Sequence, residues 1–88
     1  MKYIVYILRS LSAKKSYVGV TDNIKRRIKE HNSGKNFYTK RHRPWEIIHT
    51  EEYPNFKEAR DREKYLKTTS GRRVMKKIMK EAVTRYVH

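Results

Sequence analysis

The run YIVYIL, from Tyr3 to Leu8, restricts the fold of this chain more than any other stretch. It is six consecutive apolar or aromatic residues, closed by Arg9 and Ser10. That is too short for a membrane span or for the apolar region of a signal peptide. Its β-branched and aromatic content favours a buried strand over a helix. A second short strand, Lys15 to Val20, follows after the polar link SLSAKK, so an antiparallel hairpin is expected although no two-residue turn signature is present. In 88 residues there is room for one domain, residues 1–88, with one thin core. Any site must therefore lie on or near the surface of that core.

The rest of the chain divides at clear punctuation. TDNIKRRIKEHNSG reads as a helix, with Thr21 or Asp22 as amino cap and Gly34 as stop. Lys35 to Pro44 is a basic, aromatic loop. WEIIHTEEY alternates, placing Trp45, Ile47, His49, Glu51 and Tyr53 on one face of a third strand. Asn55 followed three residues later by Glu58 marks the start of a second helix. TTSG is expected to break it. From Arg72 onward Val74, Met75, Ile78, Met79, Ala82, Val83 and Tyr86 recur at helical spacing, giving a third helix. The expected class is α+β: a three-stranded antiparallel sheet flanked by three helices, in the order strand, strand, helix, strand, helix, helix.

Charge narrows the partners. Lys and Arg number 23 against 9 acidic residues, a formal net charge of +14. Such an excess repels itself in the compact state, and an anionic polymer is the first candidate to balance it. An acidic membrane surface, or a merely solubilising surface, would carry the same composition. With no cysteine, a disulfide framework and a thiolate metal site are both excluded, which suits a reducing cytoplasm.

The informative residues are polar ones on faces that should be apolar. In the first helix Ile24 and Ile28 are the anchors, and Arg27 and His31 fall between or beside them. In the second helix Phe56, Ala59 and Leu66 form the stripe, and Glu63 lies on it. A carboxylate facing a core is costly unless paired, hydrogen-bonded or metal-bound. The ordinary explanations are a rim arginine, a histidine near a helix end and a salt bridge from Glu63 to a base such as Arg27. Taken with the strand tyrosines Tyr6 and Tyr17, however, the set matches what phosphodiester cleavage needs. That reaction requires a base for water, positive charge for the transition state, and a divalent cation held by carboxylate. One carboxylate argues for a single ion, with Mg²⁺ keeping most of its waters. Gly19 shares the strand face of Tyr17, and its missing side chain leaves room for another backbone or for substrate.

These residues resemble the GIY-YIG nuclease superfamily. IVY at 4–6 and YVG at 17–19, with ten residues between the tyrosines, match the paired motifs. Arg27 lies ten residues after Tyr17 and His31 four later, and EARDREKYLK sets Glu63 where the family's metal carboxylate falls. HNSG and KRHRPWEII resemble the small stand-alone bacterial, excinuclease-C-like members. The likeness runs from about Tyr3 to Lys67.

The resemblance implies a three-stranded antiparallel sheet with flanking helices and an endonuclease that hydrolyses DNA, in repair or recombination, with RNA as another possible substrate. It implies Tyr6 or Tyr17 as the group acting on water, with Tyr6 favoured as base and Tyr17 as its orienting partner. Arg27 would steady the scissile phosphate, His31 would assist proton transfer or contact phosphate, and Glu63 would hold one Mg²⁺ or Mn²⁺. Two positions depart from the pattern: Ile4 replaces the glycine of the first motif, and no asparagine follows Lys67. Lacking a separate targeting domain, the chain would choose its substrate through its own surface or a protein partner. Lys40, Arg41 and Arg43, among Phe37, Tyr38 and Trp45, are the expected nucleic-acid contacts. The alternative function is a nucleic-acid-binding module on the same fold with little or no turnover.

Overall fold

The computed structural model describes the backbone of residues 2–86 and the side chains of residues 2–82. β1 (Tyr3–Ser10) and β2 (Ser16–Thr21) form the expected hairpin, and β3 (Trp45–Tyr53) joins β1 on its other side. The sheet order β2-β1-β3 is antiparallel throughout and puts the most apolar strand in the middle. α1 (Ile24–Ser33), α2 (Phe56–Leu66) and α3 (Thr69–Tyr86) complete the α+β order read from sequence. Among the described residues no helix is long and apolar enough to cross a membrane.

Because β1 is covered on both sides, its side chains divide between two cores. Val5 and Ile7 point toward α2 and α3, packing with Val18, Ile48, Ala59, Leu66 and Ala82. Tyr6 and Leu8 point the other way, with Trp45, and meet Tyr17, Ile24, Ile28 and Ile47. The tyrosine-bearing face of the sheet is thus the face covered by α1.

β3 departs from simple alternation. Its register against β1 shifts between Ile7 and Leu8, where Ile47 opposes Leu8 and His49 opposes Ile7. Ile48 is the extra residue of this bulge, and a bulge exchanges the faces of the residues beyond it. Trp45 and Ile47 therefore face α1, whereas Tyr53 packs into the opposite core and Glu51 reaches Arg62 on α2. The five alternating positions of β3 do not share one face.

Helix ends follow local chemistry with two corrections. α1 is capped by Asn23 and not by Thr21 or Asp22: the Asn23 side chain accepts the Arg26 N–H at 3.1 Å. Thr21 Oγ1 is already committed to the Asn23 N–H at 3.1 Å. Gly34 ends α1 in the left-handed region at φ 87°, where glycine carries no steric cost. The Asn55 side chain caps α2 through the Glu58 N–H at 2.9 Å, as the sequence pattern predicts. TTSG separates α2 from α3, but Thr69 already begins the next helix. Gly71 does not stop a helix. A Cβ there would lie 2.0 Å from the Tyr65 carbonyl oxygen, so its absence lets α3 cross the end of α2. The side chains of Val83 and Tyr86 lie outside the described residues.

Candidate active site

Tyr6 and Gly19 are direct partners across the β1–β2 ladder. The space that Gly19 leaves is filled from within the protein: a Cβ there would lie 2.4 Å from the Tyr6 hydroxyl and 2.6 Å from Cζ. The Tyr6 ring therefore lies over the glycine and reaches toward α1. There its hydroxyl meets Arg27 Nε at 3.2 Å and His31 Nε2 at 3.0 Å. Helical spacing supplies both groups from one face, four residues apart.

His31 is fully buried, not a surface residue near a helix end. Burial, reinforced by the Arg27 charge, pulls its pKa down to about 4, so the ring is neutral at pH 7. Its Nδ1 lies 2.8 Å from Thr39 Oγ1. The Arg27 guanidinium always donates to the Tyr6 oxygen. Every proton then finds an acceptor if Tyr6 O–H donates to His31 Nε2 and His31 Nδ1–H donates to Thr39. A neutral His31 does not act as a cation toward phosphate.

Tyr6 itself is 1% exposed, and desolvation holds its pKa up at about 12 despite the Arg27 hydrogen bond. Burial and a raised pKa both disfavour the order of roles expected from sequence, in which Tyr6 is the base. Tyr17 is the less buried of the two phenols. It is half-buried, packs against His31 at 4.8 Å between ring centroids with the rings inclined by 60°, and lies 6.2 Å from the Tyr6 ring. Arg27 is held above its ordinary pKa first by the Tyr6 hydrogen bond, with a smaller hydrogen-bond contribution from Tyr17. The guanidinium also lies 3.5 Å from the Glu30 carboxylate through Nη1, and its side chain stays about a third exposed, at 31%.

Glu63 occupies the apolar stripe of α2, with a side chain only 9% exposed. It does not pair with Arg27. Arg60 donates to Oε1 at 2.8 Å and Lys67 to Oε2 at 3.3 Å. α2 packs against β1 and β2 on the side of the sheet to which Val5 and Ile7 point, and the partners of Glu63 are Arg60 and Lys67, not Tyr6, Arg27 or His31. Among the described residues no three His, Cys, Asp or Glu side chains gather to hold a metal. The donor chemistry nevertheless fits one hard cation that keeps most of its water: a single carboxylate with spare lone pairs. Its two present counter-charges, Arg60 and Lys67, are half-exposed side chains.

The loop carries two kinds of residue. Trp45 is buried and donates Nε1–H to the Thr39 carbonyl at 2.8 Å, while Asn32 brackets the Trp45 backbone through 2.6 and 3.1 Å hydrogen bonds. These contacts fasten the end of α1 to the start of β3 and position Thr39 under His31. Arg43 turns back onto the loop, donating to the Lys40 carbonyl at 3.0 Å. Lys40 and Arg41 are exposed, Lys40 lying 5.1 Å from the centre of the Phe37 ring. Phe37 and Tyr38 are 79% and 65% exposed. Sequence reading misses Thr39, whose role depends wholly on how the loop returns to α1. It also misses Lys67 and Arg60 as the holders of Glu63, although their helical spacing, i+4 and i−3, is a usable signal.

A second polar cluster lies on the other face. Glu51 accepts from Arg62 at 3.0 Å, from Tyr53 at 2.7 Å and meets His49 at 2.9 Å. Although burial opposes it, the Arg62, His49 and Tyr53 hydrogen bonds pull its pKa down to about 2. This carboxylate is saturated and ties β3 to α2.

Comparison with known proteins agrees with the geometry. The sequence profile of the GIY-YIG catalytic domain matches residues 2–78. A UPF0213 protein of Staphylococcus haemolyticus is 37% identical over 78 residues, covering 88% of this chain and 94% of the relative. One from Syntrophus aciditrophicus is 42% identical over 71 residues, covering 78% and 80%. The solution NMR structure of a UPF0213 protein from Bacillus halodurans superposes with a TM-score of 0.56 at 29% identity, covering 99% of this chain and 98% of that one.

Proposed function

The chain belongs to the GIY-YIG catalytic-domain family, a nuclease-like lineage, and from that premise we propose that it is a divalent-metal-dependent endonuclease hydrolysing DNA. The observation that carries the reading is the convergence of the Arg27 guanidinium and His31 Nε2 on the Tyr6 hydroxyl, over Gly19 and beside the Tyr17 ring.

Hydrolysis needs a water oxygen to attack phosphorus, charge neutralisation as the phosphorus–oxygen bond breaks, and a proton for the leaving oxygen. Tyr17 is the less buried of the two phenols, and its oxygen orients the attacking water, whose proton passes to solvent as the new phosphorus–oxygen bond forms, while the leaving oxygen takes a proton from solvent as the old bond breaks. Arg27 meets the phosphate with Nη2, while its Nε stays on Tyr6 and its Nη1 on the Glu30 carboxylate. Tyr6 and His31 are positioning residues: their buried hydrogen-bond line through Thr39 sets the guanidinium's direction. Glu63 is the side chain that would hold Mg²⁺ or Mn²⁺, and a bound ion of this kind polarises a phosphate oxygen and acidifies bound water. The +14 charge draws the polyanion and makes its binding strongly dependent on salt.

The test is cleavage of flapped, branched and duplex DNA with Mg²⁺ or Mn²⁺, with RNA of matching sequence as competitor. Arg27→Ala and Tyr17→Phe should each lower the rate about 10²-fold or more, the scale for losing one preorganised transition-state donor. Tyr6→Phe should cost less, because only a positioning contact is lost. Activity of Glu63→Gln equal to that of the parent would overturn the reading. Salt-sensitive DNA binding with no cleavage on any substrate would instead identify a binding module on the same fold, with the Arg60–Glu63–Lys67 bridge as a purely structural device.

A further inference from the structure

The hydrolytic site leaves one feature of this face unused. Beside Tyr17 a cleft of about 500 Å³ opens around the β2 edge, between the 35–43 loop and the junction of α2 with α3. Tyr17 and Tyr38 line one side, Lys67 and Arg72 the other, and Leu66 and Met75 supply an apolar floor. Its size is in the range that encloses a small molecule.

Two independent observations indicate what fits there. The first is aromatic. His31, Tyr17 and Tyr38 form a ladder that runs outward from the core, with centroid separations of 4.8 and 6.0 Å. The inner two rungs are packed by the protein, but Tyr38 is 65% exposed. An exposed aromatic at the end of a ladder offers a π-face to a flat partner. The second is electrostatic. Lys67, at the end of α2, and Arg72, on α3, are exposed cations lining the same cleft. An apolar floor and an aromatic wall suit the faces of a base, and a cationic rim suits its phosphate. A nucleotide within a continuous duplex has both base faces stacked and cannot give one to Tyr38.

We infer that this cleft holds one unpaired nucleotide adjacent to the cleaved bond, its base stacked on Tyr38 and its phosphate held by Lys67 and Arg72. The inference rests on the nuclease reading above and narrows its substrate to DNA that is single-stranded beside the cut. Phe37, 79% exposed next in the chain, extends the stacking surface along the strand. Arg72 is the better probe of the cationic wall, because Lys67 also touches Glu63.

The test is equilibrium binding by fluorescence anisotropy without divalent metal, at fixed salt. It compares a labelled single-stranded oligodeoxynucleotide with the same sequence as full duplex. Tyr38→Ala should weaken single-strand binding about tenfold or more, the loss expected for one base–aromatic stack, and change duplex binding less than about twofold. Tyr38→Trp should restore it, and Arg72→Ala should weaken single-strand binding while lowering its salt dependence by about one counterion. A base analogue whose emission falls on stacking should be quenched by the parent and not by Tyr38→Ala. Thermal unfolding of each variant checks that the fold is intact. Equal effects of Tyr38→Ala on both DNA forms, or none on either, would overturn the subsite. Because no cleavage is measured, that failure is distinct from failure of the nuclease reading. Metal-dependent cleavage with no Tyr38 effect on binding would leave the nuclease standing and remove the subsite alone.

Discussion

Replacing Gly19 with alanine tests whether the small residue of the second motif exists for the Tyr6 phenol. The new Cβ would sit 2.4 Å from the Tyr6 hydroxyl and 2.6 Å from Cζ, inside any real contact distance. The ring cannot swing aside cheaply: it is 1% exposed and packed with Leu8 and Trp45. Overpacking of this kind costs about 1–3 kcal/mol. Displacing the hydroxyl also removes the partner of His31 Nε2, and a buried polar atom left unpaired costs roughly 1–3 kcal/mol more. Relaxation shares these costs, so Gly19→Ala should lower stability by about 2–4 kcal/mol. The assay is urea unfolding of Gly19→Ala, Tyr6→Phe and the double variant. In the Tyr6→Phe background the hydroxyl is already gone, and the cost of Gly19→Ala should fall by about 1 kcal/mol. A Gly19→Ala cost under about 0.5 kcal/mol, or equal costs in both backgrounds, would refute the reasoning.

Three further outcomes follow from the same packing. Gly71→Ala puts a Cβ 2.0 Å from the Tyr65 carbonyl, backbone against backbone, so it should destabilise at least as much as Gly19→Ala in the same urea experiment. His31, with a pKa of about 4 in the fold, binds its proton later than the unfolded chain as pH falls, so stability present above pH 6.5 is lost toward pH 4. That loss should reach about 2 kcal/mol between pH 7 and 5, and His31→Gln should flatten it. Glu51, held down at about 2, should add a second loss below pH 4.5, about 2 kcal/mol by pH 3, absent in Glu51→Gln. Unfolding free energies measured across pH separate the two windows.

Much of this was legible locally. Asn55 with Glu58, and Gly34 after its polar run, act through neighbours in the chain, so their caps could be read directly. The apolar run of β1 could be assigned as a strand because burial on both sides leaves no alternation to detect. The anomalous residues Arg27, His31 and Glu63 stood out because helical periodicity is strict enough to expose a polar group on an apolar stripe. The faces of β3 were not legible: the bulge at Ile48 depends on how β3 meets β1, and one extra residue reverses every side chain beyond it. The helix start at Thr69 was hidden for a similar reason, since Gly71 serves a helix crossing and not a turn.

The sequence by itself determined which chemical groups this protein has and which elements carry them, because motif spacing and periodicity are properties of the chain. Only the tertiary structure decided their surroundings. Burial is a collective property: it made His31 neutral, withdrew Tyr6 from water and left Tyr17 only half-buried. The same packing set the Tyr6 ring in the space over Gly19, a match between two strands that neither strand's sequence contains alone.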